Sequence, residues 1–261
     1  MARKINASKI VIKIGTNTLT NENGLLNLDV MSSLVSQIAK IKKSKNILIV
    51  TSGAIGAGMK ELDLKEKPKD VVMKQVCAAV GQNILMSNYH ALFNRHNIKI
   101  AQILITYGDL ANKSAYKNLK NSLTKLFELG VIPIINENDP ISINEIGPSF
   151  GDNDNLSALI ATKIKADLLV ILTNVDGLYN KEPKQYGATL IKEVKLVDRK
   201  IEAMATGSSH LGVGGMKAKI QAAKIVTKAG STVVIANGKI NNVLIDIMNN
   251  KDVGTIFYAK K

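Results

Sequence analysis

The chain has no tryptophan, and aromatic residues make up only 4% of it, so its 46% of hydrophobic residues are almost wholly aliphatic. Any core it builds must therefore be aliphatic. Cys77 is the one cysteine. That excludes an internal disulfide and suits a reducing compartment, so a cytoplasmic protein is expected. Cys77 lies in the apolar run 76–80 and reads as a buried structural thiol rather than a nucleophile. No apolar run reaches the roughly 18 residues of a membrane-spanning helix, which argues against a membrane partner. The first residues enter a strand without the apolar core of a signal peptide. Nothing resembles a Pro- or Ser-rich linker, and no internal repeat is found. A single domain over 1–261 is the expectation.

Acidic residues are scarce: 21 against 35 Lys and Arg, a net charge of +14. Such a charge raises the question of a nucleic-acid partner. The lysines are spread over clusters at 40–45, 60–69 and 113–125, however, and no basic stripe is interleaved with aromatics. Solvated helix faces explain the charge, with anionic substrates as a second reason, and no specific nucleic acid is expected.

Two nucleotide motifs are missing as well. There is no Gly-x-x-x-x-Gly-Lys-Ser/Thr, which excludes a P-loop enzyme. The segment from Gly212 lacks the third glycine of a dinucleotide fingerprint, because Lys217 stands there. It also falls too near the chain end for a following ribose-binding half, which argues against a nicotinamide enzyme.

What is present is an alternation of strands and helices. Apolar runs predict strands at 9–14, 46–50, 99–105, 131–135, 167–172, 231–235 and 253–258. Helices are predicted over 28–41, 70–95, 115–129, 156–164 and 216–229, with Gly130 and Gly230 as natural stops. In the first of them Leu28, Met31, Leu34, Val35, Ile38 and Ile41 share one face. A loop or hairpin is expected over 140–150. The alternation implies an α/β fold: a three-layer α/β/α sandwich around an open, mainly parallel sheet.

Against this background two acidic segments stand out. Residues 136–139 read Asn-Glu-Asn-Asp, and 151–157 read Gly-Asp-Asn-Asp-Asn-Leu-Ser. Packed carboxylates repel unless a cation or ammonium group sits among them. The first segment ends a predicted strand. The second opens a helix, capped by Asp152, Asn153 or Asp154. Polar groups at a strand end and a helix start form the usual ligand crevice of an open α/β sheet.

Three glycine-bearing segments add to the picture. They are Lys-Ile-Gly-Thr at 13–16, Ser-Gly-Ala-Ile-Gly-Ala-Gly at 52–58, and Gly-Val-Gly-Gly-Met-Lys-Ala-Lys at 212–219. Glycine lets backbone N–H groups approach phosphate oxygens, and a helix N-terminus adds a favourable dipole. Three such segments point to a polyphosphate. Lys13 is the odd residue of an apolar strand, and a buried ammonium needs an anion. Snorkelling to the surface is the bland alternative. Lys219, in a helix first turn, works against the helix dipole unless an anion is bound there. Its bland alternative is an exposed helix residue.

These segments, in this order, resemble the amino acid kinase family, and within it the branch that phosphorylates the γ-carboxylate of L-glutamate to L-glutamyl 5-phosphate at the start of proline biosynthesis. The match runs through 11–16, 51–55, 135–139, 151–159, 172–173 with 177–179, and 212–219. The resemblance implies that Lys13 and Lys219 neutralise the phosphoryl group in transfer while Asp154 holds both lysines. It implies Ser52, Asp139 and Asn153 as glutamate-binding residues. ATP would be held by Lys13, Gly15, Thr173, Asn174, Val213, Gly214, Gly215, Met216, Lys217, Ala218 and Lys219. Mg²⁺ would ride on the nucleotide rather than on a protein metal site; a metal bound by Asp152 and Asp154 is the alternative. A homo-oligomer and inhibition by proline are also expected from relatives. Two departures are visible. Asn174 stands where the family usually has Asp, and no C-terminal PUA domain, which many members of this branch carry, is expected within 1–261.

The chemistry of the residues agrees. A glutamate side chain, with a reference pKa of about 4.3, is already a nucleophile at neutral pH. No general base is required, and His90, His96 and His210 belong to no acidic motif, with His90 and His96 on a helix face. Two alternatives stay open: another member of the family, acting on acetylglutamate or UMP, and a non-catalytic nucleic-acid-binding protein.

Overall fold

Short aliphatic runs buried on both sides become the strands of one sheet: β1 Lys9–Ile14, β2 Asn46–Val50, β3 Ile100–Ile105, β4 Ile132–Glu137, β5 Leu168–Thr173, β6 Glu193–Val194, β7 Thr232–Asn237 and β8 Thr255–Phe257. The structure is a computed structural model that describes residues 3–21, 24–142, 153–183, 185–205 and 215–260. The strand order is β3-β4-β2-β1-β5-β7-β8-β6. The registered pairs are parallel except β7 with β8. The chain leaves β1 toward β2 on one side and returns to β5 on the other, so the order reverses at β1. A reversal of this kind opens a crevice at the C-terminal ends of the strands.

The helices are α1 Thr16–Leu19, α2 Leu28–Lys42, α3 Ala54–Glu61, α4 Val71–Asn94, α5 Tyr107–Ala111, α6 Lys113–Glu128, α7 Asn153–Lys163, α8 Arg199–Met204, α9 Met216–Lys228 and α10 Val243–Met248. They divide between the two faces of the sheet. Ile10, Ile12 and Ile14 of β1 pack on one face with residues of α2, α4 and α10. Val11, on the opposite side of the same strand, packs with residues of α6, α7 and α9. Two aliphatic cores on either side of a sheet make the predicted three-layer sandwich. Lys13 shares the α7/α9 side with Val11, by the strand's period of two. Lys113, Lys117, Lys120 and Lys125 are exposed on α6, whose Leu123 is buried.

Local signals set several boundaries. Asp70 caps α4 by accepting from the Met73 N–H, and Asn27 caps α2 by accepting from that of Val30. Gly130 and Gly230 take positive φ just past α6 and α9. Cys77 is fully buried, as expected.

Two predicted segments differ in the structure. Residues 54–58, read as part of a glycine loop, lie in α3. Glycine weakens a helix by about 1 kcal/mol per residue, so the composition speaks against it. Packing overrides that preference. A Cβ on Gly81 would lie 1.9 Å from the carbonyl oxygen of Ala54, and one on Gly58 would lie 1.8 Å from that of Cys77. Helices α3 and α4 therefore touch backbone to backbone. The second difference is α7, which starts at Asn153, so Asn153 and Asp154 lie inside its first turn rather than capping it. Asp152 lies outside the described residues. Of the loop predicted over 140–150, residues 139–141 form a short 3-10 turn and 143–150 lie outside the described residues.

The α3–α4 contact leaves no flexible atom to yield. Gly81→Ala is expected to lower stability by about 3 kcal/mol or more in urea unfolding. Gly215→Ala, where an added Cβ meets nothing among the described residues within 4 Å, is expected to change it by about 0.5 kcal/mol or less. Equal stability for Gly81→Ala and the parent chain would refute the close approach.

Candidate active site

The parallel strands bring their C-terminal ends to one edge, and the polar residues of the sequence collect there. Lys13 and Gly15 come from the end of β1, and Thr51 and Ser52 from the end of β2. Residues 136–139 follow from β4, and Thr173 and Asn174 from β5. The first turns of α7 and α9 add Asn153, Asp154 and Lys219.

Asp154 is the centre of the arrangement. Its side chain has no exposed surface. One carboxylate oxygen lies 2.7 Å from Lys13 Nζ, and the other lies 3.0 Å from Lys219 Nζ. Both lysines are buried, at 5% and 6% exposure. Lys13 has not snorkelled, and Lys219 is not a surface residue of its helix. Burial alone would raise the Asp154 pKa. The charges of Lys13 and Lys219, with their hydrogen bonds, outweigh it and hold the carboxyl below the ordinary carboxylate range. The N-terminus of α7 adds a favourable dipole to the carboxylate. The same carboxylate answers the unfavourable position of Lys219 at the start of α9.

Gly15 closes the floor beside Lys13. Its N–H donates to the carbonyl of Leu172 at 3.2 Å, tying the end of β1 to β5. A Cβ there would sit 3.3 Å from Lys13 Nζ, so any larger residue crowds the ammonium. Thr173 is buried, and its hydroxyl lies 3.4 Å from the exposed Asn174 side chain. At the start of α9 the N-cap residue is Gly215, which is exposed and has no side chain to cap the helix. Met216 and Ala218 are half-buried and Lys217 is exposed. Val213 and Gly214, assigned to ATP from the sequence, lie outside the described residues.

A second polar group lies on the other side of Asn153. Asn153 Nδ2 donates to the Thr51 carbonyl at 2.5 Å, to Ser52 Oγ at 3.1 Å and to Asn136 Oδ1 at 2.9 Å. Ser52 is placed by the turn after β2, where Gly53 takes φ +102°, a conformation that favours glycine. Asp139 is 7% exposed, and burial pushes its carboxyl up to about 6, opposed by a weaker backbone hydrogen bond. Asp139 and Glu137 line a cavity of about 240 Å³ with Gln82, Asn83, Gln102 and Leu104. The buried Glu137 carboxylate accepts from Ser142 Oγ at 3.1 Å.

The sequence-assigned residues Lys13, Asp154 and Lys219 thus form one contact cluster, and Ser52 and Asn153 another. Asp139 stands apart from these direct contacts, in the wall of the cavity. Helix α7 joins the two clusters, because Asn153 and Asp154 are consecutive. Sequence reasoning missed Thr51, Asn136 as an individual contributor, and Gln82. The structure buries Ala78, Gly81, Gln82, Leu85 and Tyr89 together on one side of α4, but exposed apolar residues of the same helix kept that side from showing in the sequence.

Comparison with known proteins identifies the family. Residues 8–237 match the Amino acid kinase family. The glutamate 5-kinase of Thermoanaerobacter sp. (strain X514) is 46% identical over 256 residues, covering 97% of this chain and 68% of the relative. That of Methanosarcina barkeri (strain Fusaro / DSM 804) is 45% identical over 264 residues, covering 97% and 69%. Among solved structures, carbamate kinase from Giardia lamblia bound to AMP-PNP superposes with a TM-score of 0.68 at 18% identity, covering 97% of this chain and 98% of that one. That likeness speaks for the fold. The chain belongs to the amino acid kinase family and, within it, to the glutamate 5-kinases.

Proposed function

We propose that the protein transfers the γ-phosphoryl group of ATP to the γ-carboxylate of L-glutamate, giving L-glutamyl 5-phosphate. The observation that carries this reading is the placement of Asn153 and Asp154 side by side on the first turn of α7. Asn153 reaches Ser52 and Asn136, while Asp154 reaches both lysines. One rigid helix turn therefore holds a site for a polar small molecule against a pair of ammonium groups.

Ser52, Asn153 and Asp139 receive the amino acid, with the buried Asp139 carboxylate facing its ammonium group. The acceptor carboxylate is ionised at neutral pH, so the reaction needs no base. What it needs is alignment and neutralisation of charge on the moving phosphoryl group. Lys13 and Lys219 supply that charge. An ammonium carries three N–H donors, and Asp154 takes one from each lysine while fixing its direction. Gly15, Thr173, Asn174 and the segment 213–219 hold the nucleotide. The fit rests on the crowding at Gly15 and, among the described residues, on the open space at Gly215 and a glycine N-cap that leaves the start of α9 free of its own side-chain cap, which suits a phosphate. Mg²⁺ would be carried by the ATP phosphates and would supply electrostatic stabilisation to them when bound. On this reading the enzyme works in the cytoplasm at the head of proline biosynthesis, as a homo-oligomer inhibited by proline.

A coupled ATPase assay with a panel of amino acids, acetylglutamate and UMP tests the assignment. ATP consumption is expected with glutamate and Mg²⁺, and hydroxylamine is expected to trap the product as a hydroxamate. Equal or faster turnover with acetylglutamate or UMP would overturn it.

Two substitutions separate the roles within the site. Lys219→Ala is expected to lower kcat by on the order of a hundredfold or more, with a smaller change in glutamate KM. Asp139→Ala is expected mainly to raise glutamate KM and to leave ATP affinity near normal. Because the ionised form of Asp139 pairs with the ammonium, glutamate KM in the parent enzyme should fall as pH rises through about 6. That inflection should vanish in Asp139→Ala. The stability effect has the opposite sign. A raised carboxyl pKa contributes stability below the unfolded value that is lost as pH rises through about 6. Asp139→Asn should accordingly raise the Tm more at neutral pH than in acid. A folded Lys219→Ala enzyme with normal turnover, or a pH-independent glutamate KM in the parent enzyme, would contradict these assignments.

A further inference from the structure

Gln82 has no part in the roles described above, yet it closes a chain of amides. It is 8% exposed on the inner side of α4, and its Oε1 accepts from Asn136 Nδ2 at 2.7 Å. Asn136 Oδ1 in turn accepts from Asn153 Nδ2, which also donates to the Thr51 carbonyl. The direction of the chain follows from chemistry. A backbone carbonyl can only accept, so the NH₂ of Asn153 must face Thr51. The NH₂ of Asn153 then faces Asn136 as well, so Asn136 presents its oxygen there and turns its own NH₂ to Gln82. Gln82 must answer with its oxygen. Every amide is fixed by its neighbour, and Gln82 is the far anchor.

Within this chain of amides, Asn153 Oδ1 and Gln82 Nε2 are buried without a hydrogen-bond partner among the described residues. Buried polar atoms normally find partners, so an unpartnered atom at each end of this relay calls for an explanation. A stranded acceptor on Asn153, beside Ser52, suits the ammonium group of an amino acid.

We propose that Gln82 is a positioning residue for the amino-acid substrate, acting through Asn136 to hold Asn153 with its Oδ1 presented to that ammonium group. This assignment rests on the reading of Asn153 as a substrate-binding residue. Without Gln82, Asn136 is fastened at one end only, and its alignment with Asn153 relaxes. The lysine pair contacts Asp154 and is outside the relay, and on the reading above the nucleotide would bind on that side.

Steady-state kinetics on the full chain tests the relay. Gln82→Met keeps the length and packing of the side chain but has no amide. It is expected to raise glutamate KM by about tenfold and to leave the KM for ATP within about twofold. The Tm should barely change, since one stranded donor is exchanged for another. In an Asn136→Ala background, Gln82→Met should add no more than about twofold to glutamate KM, because the relay is already broken. Gln82→Leu carries the same expectations if the thioether misfits. An unchanged glutamate KM, an equal rise in KM for both substrates, or effects of the two substitutions that multiply would each overturn the proposal. So would failure of both Gln82 variants to fold, which would assign the residue to stability. If the parent enzyme makes no glutamyl hydroxamate, the glutamate reading itself falls, and this assignment falls with it.

Discussion

A carboxylate buried between two ammonium groups organises this molecule's chemistry. Moving one charged group out of water costs several kcal/mol, and three such groups meet at Asp154, Lys13 and Lys219. Their mutual contacts offset that cost only in good geometry, with one lysine on each carboxylate oxygen. The arrangement constrains much else. β1 must end where Lys13 can turn inward, α9 must begin beside α7, and Asp154 must lie within the first turn of α7. Asn153 then comes with it, because the two are neighbours on one rigid turn. In this way an electrostatic requirement on one side of the helix places the Asn153 amide on the other, against Ser52 and Asn136.

The fold supplies the rest through close approach. Parallel strands deliver Gly15, Ser52, Asn136 and Thr173 to one edge of the sheet. The Thr51 N–H donates to the Ile135 carbonyl, and its hydroxyl meets Tyr89 OH at 2.9 Å, so the β2 end is tied to both β4 and α4. Helix α4 carries Gln82 to Asn136, and it packs against α3 closely enough to need glycines at Gly58 and Gly81. Structural glycines at one end of this lattice and amides at the other therefore serve the same crevice.

Much of this was legible in the amino-acid sequence. The strands are buried on both faces, so they read as unbroken apolar runs, and a lysine within one of them was conspicuous. The acid–amide segments were conspicuous because the rest of the chain is basic. What escaped had physical reasons. The α3 segment has the composition of a loop, and only contact with α4 makes it helical. Asn153 and Asp154 resembled caps because short polar side chains favour that position; the demand that Asp154 reach two lysines puts them inside the helix. Gln82 was hidden because the apolar residues of α4 do not keep to one side. Val72, Met73 and Val76 are exposed while Cys77 and Leu85 are buried, so the pattern did not mark an inner face. The polar contacts of Thr51 depend on its position at a strand end, which composition does not reveal.

The account stands on the claim that Asp154 holds Lys13 and Lys219 in working position. Asp154→Asn tests it most directly, because the amide keeps the size of the carboxylate and removes its charge. With ATP and glutamate both saturating, kcat is expected to fall by on the order of a hundredfold or more while the chain still unfolds cooperatively. A folded Asp154→Asn enzyme that turns over at close to the parent rate would contradict the claim.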